Sequence, residues 1–143
     1  MPIIKRSFFS LLLAGIFLAA AQAHARIDVI VNAENSVSLD QERVKNIFLG
    51  KIRQFAEGLT AKPVDLPEGD AVRNLFYKKF FEKSDMDMKL YWSTTIFTGA
   101  GTPPRALSSE KEILQYVREN KGGIGYVSGA VRDPGVRVIF SVD

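Results

Sequence analysis

The sequence predicts one α/β domain, a mixed β-sheet flanked by helices, over residues 26–143. Short β-branched runs and amphipathic stretches with helical spacing follow one another in the order β-α-β-α-α-α-β-β, which favours a sheet covered by helices. The chain has 143 residues, and the 118 that follow residue 25 are enough to bury one core. No internal repeat or low-complexity tract interrupts that stretch, so we expect a single domain.

The first strand and the first helix are predicted from the segment that opens the domain. Ile27–Val31 is a short β-branched run followed by the polar loop Asn32–Ser36, which is typical of a buried strand and its end. Ser38 and Gln41 fit the capping box of a helix start, and Gly50 is expected to end that helix. Three apolar residues at helical spacing form its inner face: Val44, Ile47 and Phe48.

The middle of the chain predicts a strand, a tight turn and two helices. Lys62–Leu66 is the second predicted strand, and the turn Pro67–Gly69 leads from it directly into a helix over Asp70–Phe81. Ser84 followed by Asp87 predicts the start of a third helix. The apolar face of the second helix consists of Val72, Leu75, Phe76 and Phe80. Three cations are expected off that face: Arg73, Lys78 and Lys79. Tyr91 and Trp92 of the third helix, with Phe97 at the start of the loop after it, are expected in the core, and the alternative is a stacking platform.

The last part of the chain predicts one helix and two strands. Two Gly and two Pro residues mark the segment 97–104 as a loop. A fourth helix follows, and three apolar residues share its inner face: Ile113, Leu114 and Val117. The remaining strands are Gly123–Val127 and Gly135–Ser141. Gly123 and Gly125 are expected to let a helix pack closely on the sheet.

The turn from the second strand into the second helix is a predicted anion site. A helix that begins directly after a strand and a glycine leaves backbone N–H groups unpaired at its positive end, and such ends bind anions. Arg73 lies in the first turn of this helix. It is expected either to bind an oxyanion bidentately or to form an ion pair with Glu68 or Asp70. Asp70 is expected to cap the helix. Alternatively, it and Glu68 accept protons from a ligand, which favours a protonated oxyanion or a ligand with hydroxyl or ammonium groups.

Three segments, taken in order, resemble a known family. IFLGK (Ile47–Lys51), PVDLPEGDAVRNLFYKKF (Pro63–Phe80) and GGIGYV (Gly122–Val127) are similar to the phosphate-type solute-binding proteins of ABC importers, in the periplasmic-binding-protein superfamily. The resemblance covers nearly all of the chain after residue 25. It implies one lobe of the periplasmic-binding-protein-like fold, the second of the two that grip the ligand in transport proteins. The chain departs from the family at the central turn. Phosphate-binding members typically carry an Arg, an acidic residue and Ser-Gly-Thr there, whereas Asp65–Asp70 has the sequence DLPEGD.

The resemblance places two further loops near the expected cleft. Asn32, Asn35 and Ser36 follow the first strand, and ligands in open α/β sheets bind outside the carboxyl ends of strands. The alternative for these three residues is ordinary turn chemistry. Thr102 can present a backbone donor at the cleft rim, or its loop is only a connector. The predicted ligand-binding residues are Asn32, Asn35, Ser36, Gly69, Asp70, Arg73 and Thr102.

Composition excludes several classes of function. The only histidine, His24, lies in the segment expected to be removed, and the chain has no cysteine. The predicted domain therefore lacks the His and Cys ligands of zinc and copper sites, the Ser-His and Cys-His pairs of covalent catalysis, and disulfides. No motif indicates an enzyme, a cofactor or a metal. No basic stripe alternates with aromatic residues, and loss of Lys5 and Arg6 lowers the formal charge from +3 to +1, so nucleic-acid binding is not expected.

Residues 1–25 have the pattern of a cleaved secretion signal. Two basic residues precede the apolar run Phe8–Ala21, and Ala23–Ala25 has the small-x-small pattern of a signal-peptidase site. The apolar run is shorter than the roughly 20 residues that span a membrane, and no cysteine follows it to carry a lipid. We expect a periplasmic protein that begins at Arg26 and has no membrane anchor. Intact-mass measurement of the protein from a cell-envelope extract checks this expectation, and a mass that retains residues 1–25 would contradict it.

The sequence thus predicts a periplasmic module that binds phosphate or a related oxyanion, with an ABC importer as a candidate partner. The alternative is a non-transport interaction or assembly module that has lost ligand binding. A single lobe covers only one side of a small anion, and exposed charge pairs are weak. Tight binding therefore requires a second wall. We expect a homodimer or a periplasmic partner protein to supply it by docking across the face that holds the predicted residues.

Overall fold

The sheet and helices of the computed structural model follow the predicted order. The structure describes residues 26–143, and the predicted signal sequence lies outside them. The strands and helices of this range are β1 Ile27–Asn32, α1 Gln41–Phe48, β2 Lys62–Asp65, α2 Ala71–Phe81, α3 Asp85–Phe97, β3 Arg105–Ala106, α4 Glu110–Glu119, β4 Gly123–Ser128 and β5 Val136–Val142. None of the described helices combines the length and the apolar character needed to cross a membrane. Strand β3 and a single 3-10 turn at Ala56–Gly58 were not predicted, because two or three residues are too few to show any periodicity.

The five strands form one mixed sheet in the order β3-β2-β4-β1-β5. Strand β2 is parallel to β3 and β4, whereas β1 runs antiparallel to β4 and β5. The first residue of β1, Ile27, pairs with Ser128 at the end of β4. The carboxyl ends of β2, β3 and β4 therefore lie at one end of the sheet, and the carboxyl end of β1 lies at the other.

Helices cover both faces of the sheet, and strand β4 shows how. A Cβ atom added at Gly125 would lie 2.7 Å from Cγ2 of Ile113 in α4. The next residue, Tyr126, stacks on Phe76 of α2 at a centroid distance of 3.8 Å. Successive residues of a strand point to opposite faces, so α4 packs on one face and α2 on the other. The predicted close packing at the glycines of GGIGYV is confirmed.

The predicted caps of α2 and α3 are confirmed, and that of α1 is not. Asp70 caps α2 by accepting hydrogen bonds from two backbone N–H groups, and Ser84 forms a reciprocal capping box with Asp87 at the start of α3. At α1, however, Asp40 accepts from the N–H of Arg43 at 2.7 Å. The predicted capping box of Ser38 and Gln41 is therefore wrong, because the helix begins two residues later and is capped by a carboxylate, which suits the positive helix end.

Two side chains differ in burial from what the sequence predicts. Phe97 was expected in the core, but it is 92% exposed at the end of α3. Arg73 was expected off the apolar face of α2, but it is 8% exposed. Trp92 and Tyr91 do pack as expected, since Trp92 is buried and Tyr91 is half-buried. Hydrophobic spacing alone does not reveal a buried cation, because its burial depends on partners elsewhere in the chain.

Candidate functional site

A buried carboxylate, Asp65, lies at the carboxyl end of β2 and organises the start of α2. It is 4% exposed. Its Oδ2 accepts hydrogen bonds from the hydroxyl of Tyr77 at 2.7 Å and from Nε of Arg73 at 3.2 Å. Its Oδ1 accepts from the backbone N–H of Leu66 at 2.9 Å and from the hydroxyl of Tyr126. Four donors thus surround one carboxylate, as a buried charge requires.

The local sequence explains this arrangement. Strand β2 ends at Asp65, the turn at Pro67–Gly69 reverses the chain, and α2 returns past the same point. Arg73 and Tyr77 are four residues apart on α2 and therefore share one face. Tyr126 comes from β4, the parallel neighbour of β2. We call the set Asp65, Arg73, Tyr77, Asp85 and Tyr126 the Asp65 cluster.

Electrostatics keep the two tyrosines and the arginine of the cluster protonated. Burial, together with the nearby charge of Asp65, raises the pKa of both Tyr77 and Tyr126 far above the ordinary value for tyrosine. Both hydroxyl groups therefore remain protonated and donate to the carboxylate. Burial by itself would lower the pKa of Arg73, but attraction to Asp65 outweighs it and the pKa is raised. Arg73 therefore remains a cation.

Arg73 also bridges the starts of two helices. Its Nη1 donates to Oδ1 of Asp85, the first residue of α3, and its guanidinium carbon lies 4.9 Å from the ring centroid of Tyr77. The expected ion pair of this arginine with Glu68 or Asp70 is wrong. Glu68 pairs instead with Lys89 of α3, with Nζ and Oε1 2.9 Å apart. Nη2 of Arg73 donates to none of the described residues, so the guanidinium retains free N–H groups.

The predicted anion site at the helix start is partly filled by the chain itself. Oδ1 of Asp70 accepts from the N–H groups of Val72 at 2.8 Å and Arg73 at 3.1 Å. Gly69 has a φ angle of +86° and lies exposed in the turn, a conformation that glycine adopts without strain. Two of the backbone N–H groups that the start of a helix leaves unpaired are therefore already bonded to the N-cap residue of α2.

An open groove lies beside the Asp65 cluster, between the start of α2, α3 and the loop before β3. It has a volume of about 390 Å³. We call it the α2–α3 groove, and its lining residues include Asp65, Glu68, Arg73, Asp85, Lys89, Trp92, Ser93 and Ile96. Trp92 is 7% exposed, and its indole N–H has no hydrogen-bond partner among residues 26–143.

The groove offers both donors and acceptors to a small solute. Arg73 and Trp92 carry N–H groups that can donate, while Glu68 and Asp85 carry carboxylates that can accept. Three carboxylates line the groove against two cations, so its formal charge is negative by one. That balance opposes a dianion and favours a ligand that brings its own donor. Among the described residues, no group of His, Cys, Asp or Glu is placed to hold a metal ion.

The structure does not bring all the predicted ligand-binding residues together. Gly69, Asp70 and Arg73 lie at the carboxyl end of β2, beside the α2–α3 groove. Asn32 lies at the opposite end of the sheet, since β1 is antiparallel to β4 and β4 is parallel to β2. Thr102 is not in the lining of the α2–α3 groove but lines, with Gly50, an adjoining groove of about 240 Å³ that shares Pro103 and Pro104 with it. The expectation that these residues share one face is wrong.

The polar side chains of the loop after β1 form hydrogen bonds within the fold, which agrees with the alternative interpretation of this loop as an ordinary turn. Nδ2 of Asn32 donates to the backbone oxygens of Val117 at 2.9 Å and Arg118 at 2.8 Å, near the end of α4. Oδ1 of Asn35 accepts from the N–H of Val37 at 3.1 Å. Ser36 is exposed. Asn32 and Asn35 thus tie the end of α4 to the loop that follows β1.

Sequence reasoning missed four members of the groove and cluster: Asp65, Tyr77, Asp85 and Trp92. Two signals point to part of this set. An acidic residue at the end of an apolar strand has to find donors if the strand is buried, and Arg73 with Tyr77 has the spacing of neighbours on a helix. Nothing in the local pattern links them to Asp85, because that contact depends on how α3 packs beside α2.

Comparison with known proteins supports the predicted fold. No family model and no curated protein matches the chain. A protein from Clostridium perfringens assigned as a phosphate ABC transporter substrate-binding protein, with bound phosphate, matches with a TM-score of 0.63 and 20% identity, over 80% of this chain and 44% of that chain. An ABC-type phosphate transport receptor from Vibrio cholerae matches with a TM-score of 0.62 and 18% identity, over 80% of this chain and 45% of that chain.

These two likenesses show the fold. The described residues have the mixed α/β architecture of substrate-binding proteins of ABC transporters, as the sequence predicted. The chain spans less than half the length of the solved structures that it matches, which agrees with the predicted size of one lobe.

Proposed function

We propose that this chain is a periplasmic binding module with the fold of one substrate-binding-protein lobe, and that it binds a small protonated oxyanion in the α2–α3 groove. The observation that carries the proposal is the buried Arg73, which lines the groove with N–H groups that no described residue accepts. The unpartnered indole N–H of Trp92 on the same groove supports it. The buried indole N–H of Trp92 is costly without an acceptor, and an oxyanion supplies acceptors for the remaining N–H groups of Arg73.

The charges around the groove define the ligand more closely. Asp65 is saturated by four donors, whereas Glu68 and Asp85 both line the groove and each pairs with one cation, Lys89 and Arg73 respectively. A ligand that carries a proton can donate to either carboxylate, whereas a fully ionised one is repelled. Dihydrogen phosphate meets this requirement and sulfate does not. Phosphate is also the ligand in the C. perfringens structure of similar fold.

The ligand test uses calorimetric titration of the exported protein with inorganic phosphate and with sulfate. We expect phosphate to bind with a dissociation constant of about 1 mM, since one open wall leaves the anion hydrated. Binding should weaken from about pH 5.5 to about pH 8, as the bound species loses its second proton. Sulfate should bind more weakly than phosphate at the lower pH.

The site test compares Trp92→Phe with a matched substitution elsewhere. Trp92→Phe removes the indole N–H but keeps an aromatic ring, so phosphate affinity should fall about tenfold. Lys111→Ala on the exposed side of α4 removes a cation far from the groove and should leave affinity unchanged. Equal phosphate binding by the Trp92→Phe variant and the parent would contradict the site, and equal binding of sulfate and phosphate would contradict the protonated ligand.

We extend this proposal to a transport role, in which the chain delivers the bound solute to an ABC importer. It is supported by the fold of the two matched proteins. Pull-down of a permease by the exported protein, with and without phosphate, tests it.

The second candidate is an interaction or assembly module that has lost ligand binding. One observation favours it: the chain's own carboxylates occupy the positions where a ligand oxyanion would accept, with Asp70 on the N–H groups of α2 and Asp65 and Asp85 on Arg73. A flat titration with phosphate and sulfate across the pH range would favour this candidate over the first.

A further inference from the structure

The outer face of α3 carries large apolar side chains in contact with solvent. Met86 is 71% exposed, Leu90 is 68% exposed and Phe97 is 92% exposed. These three residues and Ser93 lie within one narrow stripe of the helix, because their spacings of four, three and four residues return to the same side. We call them the α3 stripe. Ile96, also exposed, lies beside the stripe on the rim of the α2–α3 groove.

The spacing along the stripe is the spacing by which helices pack on one another. Alternating steps of four and three residues produce the seam of a coiled coil, in which each apolar side chain inserts between residues of a facing helix. The partner of such a stripe is therefore another helix with the same period. The inner side of α3 is already used, since Met88, Trp92 and Thr95 are buried against the domain.

The order of residues within the stripe is self-complementary. If two copies of α3 pack antiparallel about a two-fold axis level with the midpoint between Tyr91 and Trp92, Met86 of one copy lies opposite Phe97 of the other. In the same arrangement Leu90 lies opposite Ser93, so the largest aliphatic side chain near the axis meets a small residue. A two-fold interface needs one surface that matches itself, and this stripe does.

We propose that the chain forms a two-fold symmetric dimer through antiparallel packing of the α3 stripe against the α3 stripe of a second copy. The three apolar side chains of the stripe, together with Ile96 beside it, present roughly 400 Å² of surface on each copy. With their polar neighbours, two such faces bury about 1,000 Å², which is near the lower bound for a specific interface. The expected dimer is therefore reversible, with a dissociation constant in the micromolar range.

The same geometry places the second copy at the rim of the α2–α3 groove. Met86, which meets Phe97 of the other copy, is adjacent to Asp85, and Ser93 and Ile96 belong to both the groove lining and the region of the stripe. Dimerisation thus excludes water from one side of each groove. This inference stands on the α3 stripe alone, so it holds whether or not the groove binds an oxyanion.

Sedimentation velocity of the exported protein tests the dimer. From about 1 to about 100 µM the weight-average sedimentation coefficient should rise from the monomer value to the dimer value. Leu90→Glu and Phe97→Glu, both at exposed positions that tolerate charge, should weaken the dimer about tenfold or more. Lys111→Glu, an exposed substitution on α4, is the matched control and should leave the dimer unchanged. Circular dichroism checks that each variant is folded.

The geometry of the dimer is tested separately by cross-linking. The chain has no cysteine, so introduced thiols are the only ones present. An equimolar mixture of the Leu90→Cys and Ser93→Cys variants should form far more disulfide-linked dimer than a mixture of Leu90→Cys and Lys111→Cys. A strict monomer at the highest concentration would overturn the proposal and leave the stripe to a different partner protein. A dimer that both glutamate variants leave intact, or equal cross-linking in the two mixtures, would overturn the α3 assignment.

Discussion

Replacing Asp65 by alanine is expected to lower the free energy of unfolding by about 3–5 kcal/mol, the usual effect of removing one partner from a buried charge pair. The carboxylate is buried and accepts from Arg73, Tyr77, Tyr126 and the backbone of Leu66. Its removal leaves a buried guanidinium with Asp85 as its remaining ion-pair partner and deprives two buried hydroxyl groups of their acceptor. Urea unfolding, followed by far-ultraviolet circular dichroism, measures the change.

Two comparison variants separate this effect from ordinary side-chain loss. Tyr77→Phe removes one donor to Asp65 and keeps the ring, so it should cost only about 1 kcal/mol. Asp133→Ala breaks the 2.9 Å pair with Arg118, which is half exposed, and should cost less than about 1 kcal/mol. A loss at Asp65→Ala no larger than that at Asp133→Ala would show that the cluster does not stabilise the fold.

The second large effect is expected at Gly122, where alanine should destabilise the protein by about 3 kcal/mol. A Cβ atom at this position would overlap the backbone oxygen of Thr60. That segment cannot move away easily, because Gly122 accepts a hydrogen bond from the N–H of Lys62 at 2.8 Å. Relief of the overlap therefore requires separation of the chain before β4 from the chain before β2. Thermal and urea unfolding of Gly122→Ala measure the loss.

Glycines with different surroundings provide the controls for Gly122. Gly129 has a φ angle of +79° but nothing within 4 Å of an added Cβ, so Gly129→Ala should cost only about 1–2 kcal/mol of backbone strain. Gly125→Ala would meet methyl groups of Ile113 and Val64 at 2.7 and 3.1 Å, and side chains can yield where backbone cannot. A ranking in which Gly122→Ala is the mildest of the three would contradict the steric explanation.

Local patterns in the sequence predicted most of the elements and several of their boundaries. Asp70 and Ser84 cap helices as expected, because capping depends only on a short polar side chain and the three residues after it. The buried faces of α1 and α4 also follow from spacing, with Val44 and Ile113 inside. Each of these features is decided within one turn of helix, so an isolated segment carries all the information it needs.

Local sequence patterns do not predict the direction of a strand in the sheet. The direction of β1 is the reason that the predicted site residues lie at opposite ends of the sheet. The run Ile27–Val31 has the same composition whether it is parallel or antiparallel to β2. Its antiparallel placement beside β4 moves Asn32 to the end of the sheet away from Gly69. The pairing of Arg73 with Asp65 and Asp85 depends in the same way on contacts between separate elements, which no spacing rule encodes.

The position of β1 in the sheet also governs when this protein can fold. Strand β1 opens the described chain, yet it pairs only with β4 and β5 near the other end. The hydrogen bond from Ser141 to Asp28 joins residues 113 positions apart. Closing so long a loop carries an entropic cost before any contact offsets it, and topologies rich in such contacts fold slowly. Strand β1, which lies between β4 and β5 in the sheet, therefore has no partner until most of the described chain has been synthesised. A chain with this topology stays unfolded for longer while it is being made, and this delay would keep it unfolded during the export that we propose for it.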